Sequence, residues 1–154
     1  MPVSRRFLFC AGIAVLCGSL EAKEGAEVEY VGGTVAAIEN SAGGRLVTTD
    51  DLFLEFRAKG RQIHSGYNKV NLLEYGQNVN RRLLMAAIIS PLFLLSKKRL
   101  HFLTVGYSDP EGRQQAMVFK VDKSSIRSVL VSLEARTGLK IQFQDDEARK
   151  AGKG

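Results

Sequence analysis

The chain has 154 residues, 45% hydrophobic and 25% charged, with 22 Lys+Arg against 16 Asp+Glu and a formal charge of +6. This is one domain's length with an ordinary globular apolar fraction, which excludes wholesale disorder. Two Cys and two His are the only soft-metal or nucleophile resources of that kind.

Arg5 and Arg6 precede an apolar run from Phe7 to Val15 that extends to Leu20 through Cys17, Gly18 and Ser19. A basic start and a short apolar run predict an export signal over residues 1–22. The run is about 14 residues, where a spanning helix needs about 17–25. Cleavage is expected after Ala22, with Ser19 as second choice and an uncleaved anchor as the alternative. The Arg5-Arg6 pair is only a weak twin-arginine match. Cys10 and Cys17 both fall in this segment, so the remaining chain has no cysteine. That excludes a disulfide scaffold, a cysteine nucleophile and a cysteine-based zinc site in it. Cys17 follows an apolar run and is a candidate lipidation site, although the preceding Leu16 is bulkier than lipoprotein signals carry. Without residues 1–22 the chain loses Arg5, Arg6 and Glu21, leaving a charge of +5. The expected location is exported, periplasmic or envelope-associated. The charge suits anionic lipid or acidic partners, and export argues against nucleic acid.

Residues 23–27 read as a flexible lead-in. Tyr30 to Ile38 reads as a strand whose Gly32-Gly33 pair predicts a bend or bulge. Glu39 to Gly44 reads as a turn, Arg45 to Thr49 as a short strand, and Asp50-Asp51 as a turn. Leu52, Leu54 and Phe56 alternate with Glu55 and Arg57, a half-buried strand. Ala58-Lys59-Gly60 is a hairpin turn, Arg61 to Ser65 a strand, Gly66-Tyr67-Asn68 a break, and Lys69 to Tyr75 another strand, which Gly76-Gln77-Asn78 ends.

Residues 81–99 interrupt the β pattern. Arg81 and Arg82 precede the apolar stretch Leu83 to Leu95, and Lys97, Lys98 and Arg99 follow Ser96. Leu, Met and Ala favour a helix up to Ile89, and Pro91 breaks or kinks it. Three readings of this stretch stand: a core segment packed on or inside the fold, a membrane contact, or a dimer interface. In the membrane reading Leu92 and Phe93 enter lipid, while Arg81, Arg82, Lys97, Lys98 and Arg99 form a collar that meets anionic headgroups. At about 1.5 Å per residue the stretch reaches roughly 20 Å, short of a bilayer's hydrocarbon, so it does not cross.

Leu100 to Tyr107 and Arg113 to Val121 form a hairpin around the turn Ser108-Asp109-Pro110-Glu111-Gly112. A helix over 123–137 follows. Asp122, Ser124 and Ser125 offer N-cap oxygens, Ile126, Val129, Leu130 and Leu133 form one apolar stripe, and Gly138 is the stop. Leu139 to Phe143 reads as a short strand, and 144–154 as a flexible charged tail.

This order of elements, above all Ser90 to Arg99 running through His101 to Tyr107 and on to the helix ending Leu133-Glu-Ala-Arg-Thr-Gly138, resembles the pleckstrin-homology-like (PH-like) fold of secreted bacterial proteins. The resemblance spans residues 28–143 as a domain. It implies a mainly β, antiparallel seven-stranded barrel or sandwich with a C-terminal capping helix and an apolar helical insertion. It also implies a binding or scaffolding module, since PH-like domains hold lipid headgroups or peptides. No residue matches a phosphoinositide motif, so no ligand residue carries over. A second resemblance, confined to Ser125–Phe143, is to the short N-terminal domains of secretins and TonB-dependent receptors.

No catalytic constellation is present. His64 and His101 lack ligand spacing and sit on separate expected strands. Asp50-Asp51 reads as a solvated turn and Asp145-Asp146-Glu147 as tail charge. Gly32-Gly33 and Gly43-Gly44 lack the Lys-Ser/Thr and helix start of a phosphate loop, and no G-x-S-x-G motif occurs. The expectation is a non-enzymatic envelope module without cofactor or metal. Its partner is an anionic membrane surface or an envelope protein, and it forms a homodimer if the apolar stretch is an interface. The alternative is a small-ligand or lipid carrier using the barrel interior.

Overall fold

The computed structural model describes residues 24–77, 88–89 and 100–153. Runs rich in β-branched and aromatic residues form β1 (Ala26–Gly33), β2 (Ala42–Val47), β3 (Phe53–Ala58), β4 (Arg61–Gly66) and β5 (Val70–Gly76), with a 3-10 turn at Tyr67–Lys69. Then come β6 (Ile88–Ile89), β7 (His101–Ser108), β8 (Gln114–Val121), α1 (Ile126–Thr137), β9 (Gln142–Phe143) and α2 (Asp146–Lys153).

The fold is mainly β. One mixed sheet runs β4-β3-β2-β1-β8-β7-β5-β9. Its pairings are antiparallel except that of β5 with β9, where Glu74 and Tyr75 face Gln142 and Phe143 in parallel. β6 lies off this path and pairs with β1 at Gly32 and Gly33, beyond the part of β1 that β2 occupies. No pairing joins β4 to β9 among the described residues, so the sheet is open and mixed where an antiparallel barrel or sandwich was expected.

The core sits on one face of this sheet. Tyr30, Phe56 and Phe119 form its centre, with ring centroids 6.1, 6.0 and 4.9 Å apart. The α1 stripe Ile126, Val129, Leu130 and Leu133 is buried against it, as the periodicity predicts. The central strands are also buried on their other face. Phe102 and Thr104 on β7, and Val118 on β8, alternate with the core residues Leu103, Val105, Met117 and Phe119, yet none is more than 4% exposed.

Several boundaries differ from expectation for identifiable reasons. Ala26 and Glu27 belong to β1 because they pair with Leu46 and Arg45. β1 stops at Gly33 rather than Ile38. Thr34 N–H still donates to the Ala116 carbonyl, then the chain turns and Ile38 folds back into the core. The bulge is present, between Tyr30 and Gly32 against β8. At Gly33 a Cβ would lie 2.2 Å from the Ala116 carbonyl oxygen, so only glycine fits the close approach. Gly43 and Gly44 lie in β2, not in a turn. Ile88 and Ile89 are strand, not helix, because β1 beyond Tyr30 has a free edge to pair with. α1 begins without a side-chain cap. The Asp122 carbonyl accepts from Ser125 and Ile126 N–H instead. Gly138, at φ 71°, ends it with its N–H on the Glu134 carbonyl. Residues 146–153 form a helix, not a flexible tail, and bury Ala148 and Gly152.

Candidate functional site

The expected contact residues Arg81, Arg82, Leu92, Phe93, Lys97, Lys98 and Arg99, and the expected lipidation site Cys17, lie outside the described residues, as does the export signal. What the structure does describe is the place where the 78–99 connection departs, at Gln77 after β5, and returns, at Leu100 before β7.

A groove opens there. Gln77 and His101 lie at its floor. Lys123, in the turn that precedes α1, and Arg127, in the first turn of α1, form one wall. Glu147, Lys150 and Ala151 of α2 form the other, enclosing about 580 Å³. An adjoining hollow of about 680 Å³ shares Lys123, Arg127 and Ala151 and adds Asp122 and Ser124.

The tail helix makes this groove possible. Asp145 Oδ1 accepts the Ala148 N–H at 2.6 Å and so caps α2, with Asp146 and Glu147 in its first turn where the helix dipole favours negative charge. α2 then packs so closely that a Cβ on Gly152 would lie 2.7 Å from the Phe143 ring and 3.3 Å from Leu130 and Tyr75.

His101 is held in a defined orientation. The Tyr75 hydroxyl meets His101 Nδ1. The Tyr75 and His101 rings stack at 9°. Burial and then the Lys123 ammonium push the His101 imidazole below its usual range. Burial also raises the Tyr75 phenol, which therefore keeps its proton.

Five other cations are paired. Arg45 meets Glu27 at 3.1 Å, Arg57 meets Glu55 at 2.7 Å, Arg113 meets Asp109 at 2.7 Å, Lys120 meets Glu29 at 2.7 Å and Arg136 meets Asp51 at 2.7 Å. Lys123, Arg127 and Lys150 have no carboxylate in ion-pair contact among the described residues.

The other titratable residues singled out in the sequence have structural surroundings. Asp50 Oδ1 accepts the Leu52 and Phe53 N–H groups at 2.7 and 2.8 Å, bonds that hold its carboxyl below the usual range. Asp51 is taken by Arg136, whose guanidinium also lies over the Tyr67 ring. His64 packs edge-on to Phe53 on β4, five strands away from β7 in the sheet order. Among the described residues no three His, Cys, Asp or Glu side chains gather as metal ligands, and no helix is long and apolar enough to cross a membrane.

Sequence reasoning missed Gln77, Lys123, Arg127 and Lys150. The i, i+4 spacing of Lys123 and Arg127 was a readable signal, but Arg127 reads as a residue off the apolar stripe. Lys150 lies in what reads as a fraying tail. No protein-family model matches the sequence, and no curated protein matches it either.

Proposed function

We propose that this protein is a non-enzymatic binding module of the bacterial cell envelope, engaging an anionic surface through the end of its sheet at Gln77 and Leu100. The observation that carries this reading is the gathering of Lys123, Arg127 and Lys150 in one groove at that end, none of them in ion-pair contact with a carboxylate among the described residues. The two clusters Arg81-Arg82 and Lys97-Lys98-Arg99 flank the same departure and return in sequence. Each basic side chain near an anionic lipid surface contributes about 1 kcal/mol. A PH-like architecture is supported by the four-strand meander β1–β4, the β7–β8 hairpin beside β5 and the C-terminal helix that remain once the two-residue strands β6 and β9 are set aside. A carrier would need interior space, and Tyr30, Phe56 and Phe119 fill the centre of the core.

Vesicle flotation tests the reading. The protein is expected to float with phosphatidylcholine vesicles that contain phosphatidylglycerol and to stay behind with phosphatidylcholine alone. Reversing Lys97, Lys98 and Arg99 to Glu should abolish flotation in a folded protein. Leu92→Glu with Phe93→Glu separates the readings of 83–95: lost flotation in a folded protein supports lipid contact, and unfolding supports a core segment. A protein that ignores the anionic vesicles overturns the proposal.

A further inference from the structure

We propose that the groove between α1 and α2 is a binding site for a phosphate group, with Lys123, Arg127 and Lys150 supplying charge and the His101 imidazole a hydrogen bond. This rests on the reading of the cationic end above and adds the chemistry that end recognises.

Charge and geometry agree. Three cations face one carboxylate in the inner hollow, and that carboxylate, Glu147, already has a contact of its own. Asp122 lines only the adjoining hollow. Lys123 and Arg127 line the same groove, and an anion between them offsets their repulsion. Arg127 presents a planar fork of donors that matches two phosphate oxygens, while the lysines act as point charges. A hollow of about 580 Å³ admits a phosphate with its ester substituent. The Tyr75–His101 contact is the least expected feature for a bare solvated patch, because the stacked rings and the hydroxyl at Nδ1 hold the imidazole in a groove that it lines.

The same contact makes the site reportable. Around His101 stand Tyr75 and Gln77 of the β5 end, Lys123 and Arg127 beside α1, and Glu147 and Lys150 of α2. The empty groove favours the neutral imidazole. A bound phosphate favours the imidazolium, so the ring should titrate at higher pH when the site is filled.

The experiment follows the ring proton signals of the two histidines by NMR during titration with inorganic phosphate at constant ionic strength. His101 should shift saturably and titrate at higher pH, while His64, on β4, stays put as the internal reference. Lys123→Glu with Arg127→Glu, both exposed positions, should keep the circular dichroism of the parent and weaken phosphate binding by about tenfold or more. Histidines that move together, or not at all, overturn the site. If phosphate fails while anionic vesicles still float the protein, the groove assignment falls and the envelope reading stands. If phosphate saturates His101 but phosphatidylglycerol vesicles neither compete nor float the protein, the site takes a free phosphoester and the envelope reading falls.

Discussion

Asp109 shows how much of a single side chain's energetics is written in its neighbours. Burial alone would raise its carboxyl. Hydrogen bonds from Gln115 Nε2 at 2.9 Å, Arg113 N–H at 2.8 Å and Arg113 Nε at 2.7 Å outweigh that and hold it at about 2. A folded-state value below the unfolded 3.8 stabilises the protein above that pH, and the contribution is lost as pH falls from 3.8 towards about 2. Asp109→Asn should therefore lower the urea midpoint at pH 7, and the gap from the parent should close over that acid window. The turn itself was legible, because Asp, Pro and Gly in 108–112 carry turn chemistry locally. The Gln115 contact was not, since it depends on the turn closing between β7 and β8. The same holds at Asp51, whose partner Arg136 lies 85 residues away.

At the scale of elements, α1 and α2 make an instructive pair. The α1 stripe is strong enough to read directly, and all four of its residues are buried. α2 has only Ala148 and Gly152 to bury, so its sequence carries no apolar stripe and reads as a charged tail. Its stability comes from the Asp145 cap and from close contact with Phe143, Leu130 and Tyr75. Gly152→Val should overpack that contact and cost about 1–3 kcal/mol. Hydrogen exchange should show it, with amides of 146–153 losing protection while those of the β7–β8 hairpin keep theirs. Unchanged protection in α2 would mean that its packing is looser than the 2.7 Å approach implies.

For the whole molecule, the decisive quantity is the shared core beneath an open sheet. Phe119 touches both Tyr30 and Phe56 at its centre, so Phe119→Ala should cost about 3–5 kcal/mol in chemical denaturation. A loss near zero would show a core that collapses around the cavity. The sequence by itself determined a mainly β chain, the hairpin around 108–112, the α1 stripe and the basic brackets of 81–99, because each is encoded within a few neighbouring residues by period or turn chemistry. Only the tertiary structure decided that the sheet is open and mixed, that Ile88–Ile89 joins β1, and that Lys123, Arg127 and Lys150 converge on His101. Those outcomes depend on strand pairing and helix docking between residues far apart in the chain, which no local pattern records.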